Sequence, residues 1–93
     1  MNIGSHYNYE VLIHRRVAKF LGKLPRNIVK QVLSVLNEFK EDPFKGDVKA
    51  IRGYVNLFRR RVGKIRILYY VDFVKRKVVV VKVDFRGKAY KGL

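Results

Sequence analysis

Leu57-Phe58-Arg59-Arg60-Arg61-Val62-Gly63-Lys64-Ile65-Arg66-Ile67-Leu68-Tyr69-Tyr70 holds two strand-forming runs hinged on a glycine–lysine pair. Apolar, β-branched and aromatic runs on either side of a two-residue turn containing glycine are the pattern of a β-hairpin. The spacing predicts strands over 55–62 and 65–72. Side chains alternate along a strand, so Arg59 and Arg61 share one face, while Phe58, Arg60 and Val62 share the other. In the second strand Arg66, Leu68 and Tyr70 lie opposite Ile65, Ile67 and Tyr69. If a helical layer covers the Phe58/Val62 side, Arg59 and Arg61 point out from the open face and Arg66 joins them across the hairpin. Arg60, on the covered side, has to snorkel outward.

The helical layer is legible upstream. Val17, Phe20, Leu21 and Leu24 recur at i, i+3, i+4 and i+7, with Arg16, Lys19 and Lys23 on the other side, which predicts an amphipathic helix. Pro25 breaks it and suits the first turn of a second helix. There Ile28, Val29, Val32, Leu33, Leu36 and Phe39 form an apolar stripe, and the helix should end before Pro43. Two helices so tightly joined form a hairpin. Tyr9–Ile13 reads as a first strand, 43–56 as a connection with Gly46 and Gly53 as turn points, and 78–85 as a last strand. The continuous run Val78–Val81 suits an interior strand. The order β-α-α-β-β-β predicts an α+β fold: a helical hairpin packed on one face of a small, mainly antiparallel four-stranded sheet. Residues 1–8 read as a flexible leader and 9–93 as a single domain.

Composition narrows the function. The 93 residues carry 22 Lys+Arg against 7 Asp+Glu, for a formal net charge of +15, yet 48% are hydrophobic. Such a chain can build a core and attract polyanions. The excess is uneven: residues 45–93 hold 15 Lys+Arg and three acids, a net of +12. There is no cysteine, which excludes disulfides, thiolate zinc sites and thiol nucleophiles. No apolar run is long enough for a membrane span and no signal peptide is visible, so the expected location is the cytoplasm. Glu38, Glu41 and Asp42 read as solvated charges at a helix end, and His14 as a helix-start residue. Clustered guanidinium groups repel one another unless an anion neutralises them, and their planar forks suit phosphate. The alternative is a basic edge strand that discourages aggregation. The tail from Arg86 to Leu93 adds Arg86, Lys88 and Lys91, with Tyr90 able to stack on a base.

The element order, the Leu24-Pro25 helix junction, the Leu57–Gly63 to Arg66–Tyr69 hairpin and the Arg86-Gly87-Lys88-Ala89-Tyr90 ending together resemble the RelE/ParE toxin superfamily, and within it the archaeal RelE-type toxins. The resemblance runs from about Tyr9 to Lys91. It implies the toxin of a type II toxin–antitoxin pair, an endoribonuclease (mRNA interferase) that cuts translated mRNA in the ribosomal A site and so inhibits translation. It implies Arg59, Arg61, Arg66, Arg86 and Tyr90 as catalytic residues, with Arg59, Arg60, Lys64, Lys88 and Lys91 contacting RNA. The implied partners are a RelB-type antitoxin, the ribosome and mRNA. No metal, cofactor or membrane is implied, because the ribose 2′-hydroxyl is the nucleophile. The set contains no evident general base, since arginine stays protonated with a pKa above about 12. Lys64, Lys88 and the Tyr90 phenolate are the remaining candidates. Two other functions fit the same residues: a ParE-like toxin that binds a protein target such as a topoisomerase, and a non-catalytic RNA-binding module or inactivated toxin.

Overall fold

Twelve buried side chains from two helices and two strands form the core on which everything else is mounted: Val17, Val32, Val35, Leu36 and Phe39 from the helices, and Ile65, Ile67, Tyr69, Val71, Val78, Val80 and Val83 from the sheet. The computed structural model describes residues 8–85. Its elements are β1 (Glu10–Ile13), α1 (Arg15–Leu21), α2 (Arg26–Glu41), β2 (Val48–Ala50), β3 (Leu57–Val62), β4 (Ile65–Asp72) and β5 (Lys77–Phe85). The fold is α+β, with both helices on one face of a mixed sheet of order β1-β5-β4-β3-β2. All pairings are antiparallel except β1 with β5, which is parallel.

The sheet has five strands rather than the four expected. The addition is β2, a three-residue edge strand inside the 43–56 connection, paired with β3 from Val48↔Arg60 to Ala50↔Phe58. Three residues are too few to show a period. β3 begins at Leu57, two residues later than expected, because Val55 stands 82% exposed. The α2 stripe is also rotated. Val35 is buried and Leu33 is 49% exposed, since Val32, Val35, Leu36 and Phe39 share one arc of the helix and Leu33 lies about 100° from Val32.

Local chemistry sets the element ends. The His14 Nδ1 accepts a hydrogen bond from the Arg16 N–H at 3.1 Å and so caps α1. α2 ends where Asp42 turns extended before Pro43, and the Asp42 carboxylate takes the Phe44 N–H at 2.9 Å. Gly63 opens the β3–β4 turn with φ +56°, a conformation that glycine enters without steric cost. A bulge between Leu68 and Tyr69 pairs Leu68 with Lys82 and Tyr69 with Val80, leaving Val81 unopposed. The bulge changes the phase of β5. Val78 and Val80 face the helices before it and Val83 faces them after it, so Lys82 stays out of the core. The valine run lies in an interior strand as expected, fully buried at Val78 and Val80 and partly at Val79 and Val81.

Tyr69 ties the layers together. Its ring lies 4.3 Å from that of Phe39, and its hydroxyl donates to the Pro43 carbonyl at 2.5 Å. Burial pushes its pKa well above 10.0, with Asp42 adding to the rise and the Arg60 and Arg59 charges opposing it. Removing the hydroxyl leaves a buried carbonyl unpaired, at about 1–3 kcal/mol. Tyr69→Phe is therefore expected to lower the unfolding free energy by about that amount in urea titrations. A tyrosine that holds its proton more tightly when folded stabilises the fold below the unfolded-state pKa, and this contribution is lost as pH rises. Wild-type stability should fall above pH 10.0, the ordinary value for this group, and Tyr69→Phe should flatten that fall.

Candidate functional site

The three consecutive arginines of β3 go to two different places. Phe58 and Val62 pack against the core under the helices, so alternation sends Arg59 and Arg61 to the other face of the sheet. There Arg61 pairs directly with Arg66, and Arg59 with Leu68. Directly opposed residues of an antiparallel pair have Cβ atoms about 5 Å apart, so Arg61 and Arg66 stand side by side. The hairpin thus brings Arg59, Arg61 and Arg66 onto one face. That face is not uniformly open, however. Arg59 and Arg66 are 5% and 7% exposed, and Leu57 and Leu68 beside them are fully buried. Only the Arg61 side chain, 47% exposed, reaches well into solvent.

Asp47 completes this arrangement, although neither periodicity nor motif marked it. Its Oδ2 accepts from Arg61 Nε at 2.6 Å and its Oδ1 from Arg59 Nη2 at 3.5 Å. Its backbone carbonyl accepts from the Arg61 N–H at 3.0 Å. The Arg61 hydrogen bond, reinforced by the charges of Arg61, Arg59 and Lys49, holds the Asp47 carboxyl below the ordinary carboxylate pKa against the opposing effect of desolvation. The one available signal was its place immediately after Gly46, as the sole acid of the connection.

Arg60 faces the helices and joins neither Arg59 nor Arg61. Its Nη1 donates to Glu38 Oε1 at 3.0 Å and to the Lys45 carbonyl at 2.6 Å, with the side chain 12% exposed. It does not snorkel into solvent, and its place on the covered side separates it from the arginine face. Glu38, expected as a solvated charge, is its partner. Gly46 makes room for this pair. Its φ is +87°, and a Cβ there would lie 2.5 Å from Arg60 Cζ.

Lys64 sits exposed in the β3–β4 turn. Arg86, Lys88, Tyr90 and Lys91 lie outside the described residues, as does most of the expected leader. Among the described residues no cluster of His, Cys, Asp or Glu is assembled that could hold a metal ion, and no helix is long and apolar enough to cross a membrane.

This fold and hairpin have counterparts among known proteins. The chain is 34% identical to RelE1 of Methanocaldococcus jannaschii, itself assigned as a toxin by inference, over 86 residues that cover 89% of this chain and 96% of that one. RelE in the Pyrococcus horikoshii RelE–RelB complex superposes with a TM-score of 0.77 at 30% identity, covering 88% of this chain and 99% of the other. The RelBE2 toxin–antitoxin complex of Mycobacterium tuberculosis gives 0.75 at 28%, covering 85% and 99%. No family model matches the chain. On this similarity, which spans nearly the full length of both proteins, the chain belongs to the RelE toxin family.

The Arg60 cradle has a checkable energetic consequence. Alanine at Gly46 would hold a non-glycine residue at positive φ, at about 1–2 kcal/mol, and would also push the guanidinium off Glu38. Gly46→Ala should therefore destabilise the protein by about 2 kcal/mol or more in thermal or urea unfolding. Gly53→Ala, with the same sign of φ but nothing within 4 Å, should cost only the backbone part.

Proposed function

We propose that this RelE-family chain is the toxin of a type II toxin–antitoxin pair and cleaves translated mRNA in the ribosomal A site. The supporting observation is the Arg61–Arg66 pair, set in register across the hairpin with Arg59 on the same face. Three guanidinium groups gathered on one sheet face fit a phosphodiester whose negative charge grows during reaction.

The reaction needs no nucleophile from the protein. The ribose 2′-oxygen attacks the adjacent phosphorus as its proton leaves. The 2′-O–P bond forms, the P–O5′ bond breaks, and the departing 5′-oxygen takes up a proton, leaving a 2′,3′-cyclic phosphate. Arg61 meets the charge accumulating on the phosphoryl oxygens, and the buried Arg66 and Arg59 add positive potential behind it. In this reading Arg86 acts with them, Tyr90 stacks on a base, and Lys64, Lys88 and Lys91 contact the RNA backbone. A RelB-type antitoxin masks the basic surface in the resting cell. The E. coli, M. tuberculosis and archaeal relatives have each been captured with such partners.

Expression without an antitoxin should arrest growth and create new 5′ ends within translated mRNA, detectable by primer extension. Arg61→Ala removes one exposed phosphate donor and should slow cleavage by about 100-fold or more, relieving the arrest. Growth arrest without new 5′ ends would overturn the proposal, and inhibition of a topoisomerase by the purified chain would replace it with a ParE-like function.

A further inference from the structure

We propose that Asp47 is a positioning residue for this cleavage, holding the Arg61 guanidinium by its inner nitrogen so that its two outer nitrogens present to the phosphate. The inference rests on the cleavage reading and adds to it a residue outside the expected catalytic set.

The geometry of the contact carries the argument. Asp47 engages Arg61 through Nε, at 2.6 Å. A guanidinium presents five N–H donors in a fixed planar fork. Fixing it at Nε sets the orientation of the plane and leaves Nη1 and Nη2 at the far end. Among the described residues Asp47 is the only side chain bonded to the Arg61 guanidinium. The Arg61 side chain is 47% exposed, which leaves it accessible to RNA arriving from solvent. The weaker contact to Arg59 Nη2, at 3.5 Å, balances the second charge.

The carboxylate is itself held by the sheet. The Arg61 N–H bonds the Asp47 carbonyl, and the next residue, Val48, begins β2 in register with Arg60. Asp47 is thus tied by its backbone to the very strand whose arginine it contacts. An exposed ion pair between two free side chains contributes little stability. This contact has instead the form of a carboxylate that orients a reactive group, and misplacement of such a group can cost about 100-fold in rate. An acid beside a phosphate site is a liability for binding alone. Its presence is accounted for if orientation outweighs the repulsion.

The test is single-turnover cleavage of mRNA on programmed ribosomes, with rate constant and half-saturating concentration measured for wild type, Asp47→Ala and Asp47→Asn. Asp47→Ala should lower the rate constant at least about tenfold while moving the half-saturating concentration by less than about threefold, because a net positive charge is gained as the geometry is lost. Asp47→Asn keeps an oxygen that accepts from Nε and should recover most of the rate. Circular dichroism melts establish that both variants fold, and Asp47→Ser, too short to hold the 2.6 Å contact to Nε, takes the place of the alanine variant if that one does not. An Asp47→Ala variant at the wild-type rate overturns the proposal. So does an Asp47→Asn variant as slow as Asp47→Ala, which would show that the negative charge, and not the oxygen that accepts from Nε, is what the rate requires. A wild-type chain that cleaves nothing overturns the cleavage reading first, and this one with it.

Discussion

Strand β3 must seat three consecutive arginines inside a sheet, and much of the structure around it answers that requirement. Side chains two residues apart on a strand stand about 7 Å from each other, where like unit charges repel by about 2 kcal/mol at an effective dielectric of about 20. Arg59 and Arg61 meet that repulsion with one carboxylate, Asp47, placed against both. Arg60, on the opposite face and against the helices, takes Glu38 and the Lys45 carbonyl. The counter-groups come from one continuous stretch, the end of α2 and the connection after it. This stretch lies along β3, held by these pairs, by the Phe44–Phe58 contact and by the pairing of β2 with β3.

These ion pairs are not the main source of stability. Burial of the Val, Leu, Ile and aromatic side chains between helices and sheet, at about 1.5–3 kcal/mol each relative to exposure, supplies far more than a surface pair such as Arg61–Asp47, worth about 0–1 kcal/mol. The part-buried pairs of Arg59 and Arg60 carry a desolvation cost against their attraction. What the arginines supply is register. A one-residue slip of β3 would turn Arg59 and Arg61 toward Phe39 and Tyr69 and turn Phe58 and Val62 outward. Apolar burial and charge pairing both oppose that slip, and agreement between levels of this kind makes a sequence specify one structure.

The same division explains what could be read without coordinates. The hairpin, the two helices, the covered side of β3 and the grouping of Arg59, Arg61 and Arg66 followed from periods of 2.0 and 3.6, which apolar residues report directly. β2 did not, because an edge strand of three residues holds its place through partners distant in sequence. The rotation of the α2 stripe from Leu33 to Val35 was hidden because both are aliphatic and either fits a loosely drawn helical face. Arg60 was legible as a problem but not as a solution: alternation put it on the covered side, while Glu38 is 22 positions away. Asp47 was invisible for the same reason. A lone acid in a loop has no period, and its role exists only once the loop is laid beside β3.

A site made of arginine has a chemical consequence that the structure sharpens. Guanidinium groups bind phosphate and stabilise developing charge, but they remain protonated and cannot remove the 2′-hydroxyl proton. On the described face Asp84 stands opposite Arg66 in register, while the Asp47 carboxylate is committed to Arg61 and Arg59 with its pKa held below the ordinary range. A base so weakened gives up driving force for proton transfer, which favours orientation over abstraction as its task. On this reading catalytic power resides in how firmly the donors are aimed before substrate arrives, since preorganised donors need no rearrangement at the moment of reaction. The backbone bond between Asp47 and Arg61 lies directly beside the pairing of β2 with β3, so under the proposed role of Asp47 the aim of the Arg61 fork is referenced to this edge of the sheet.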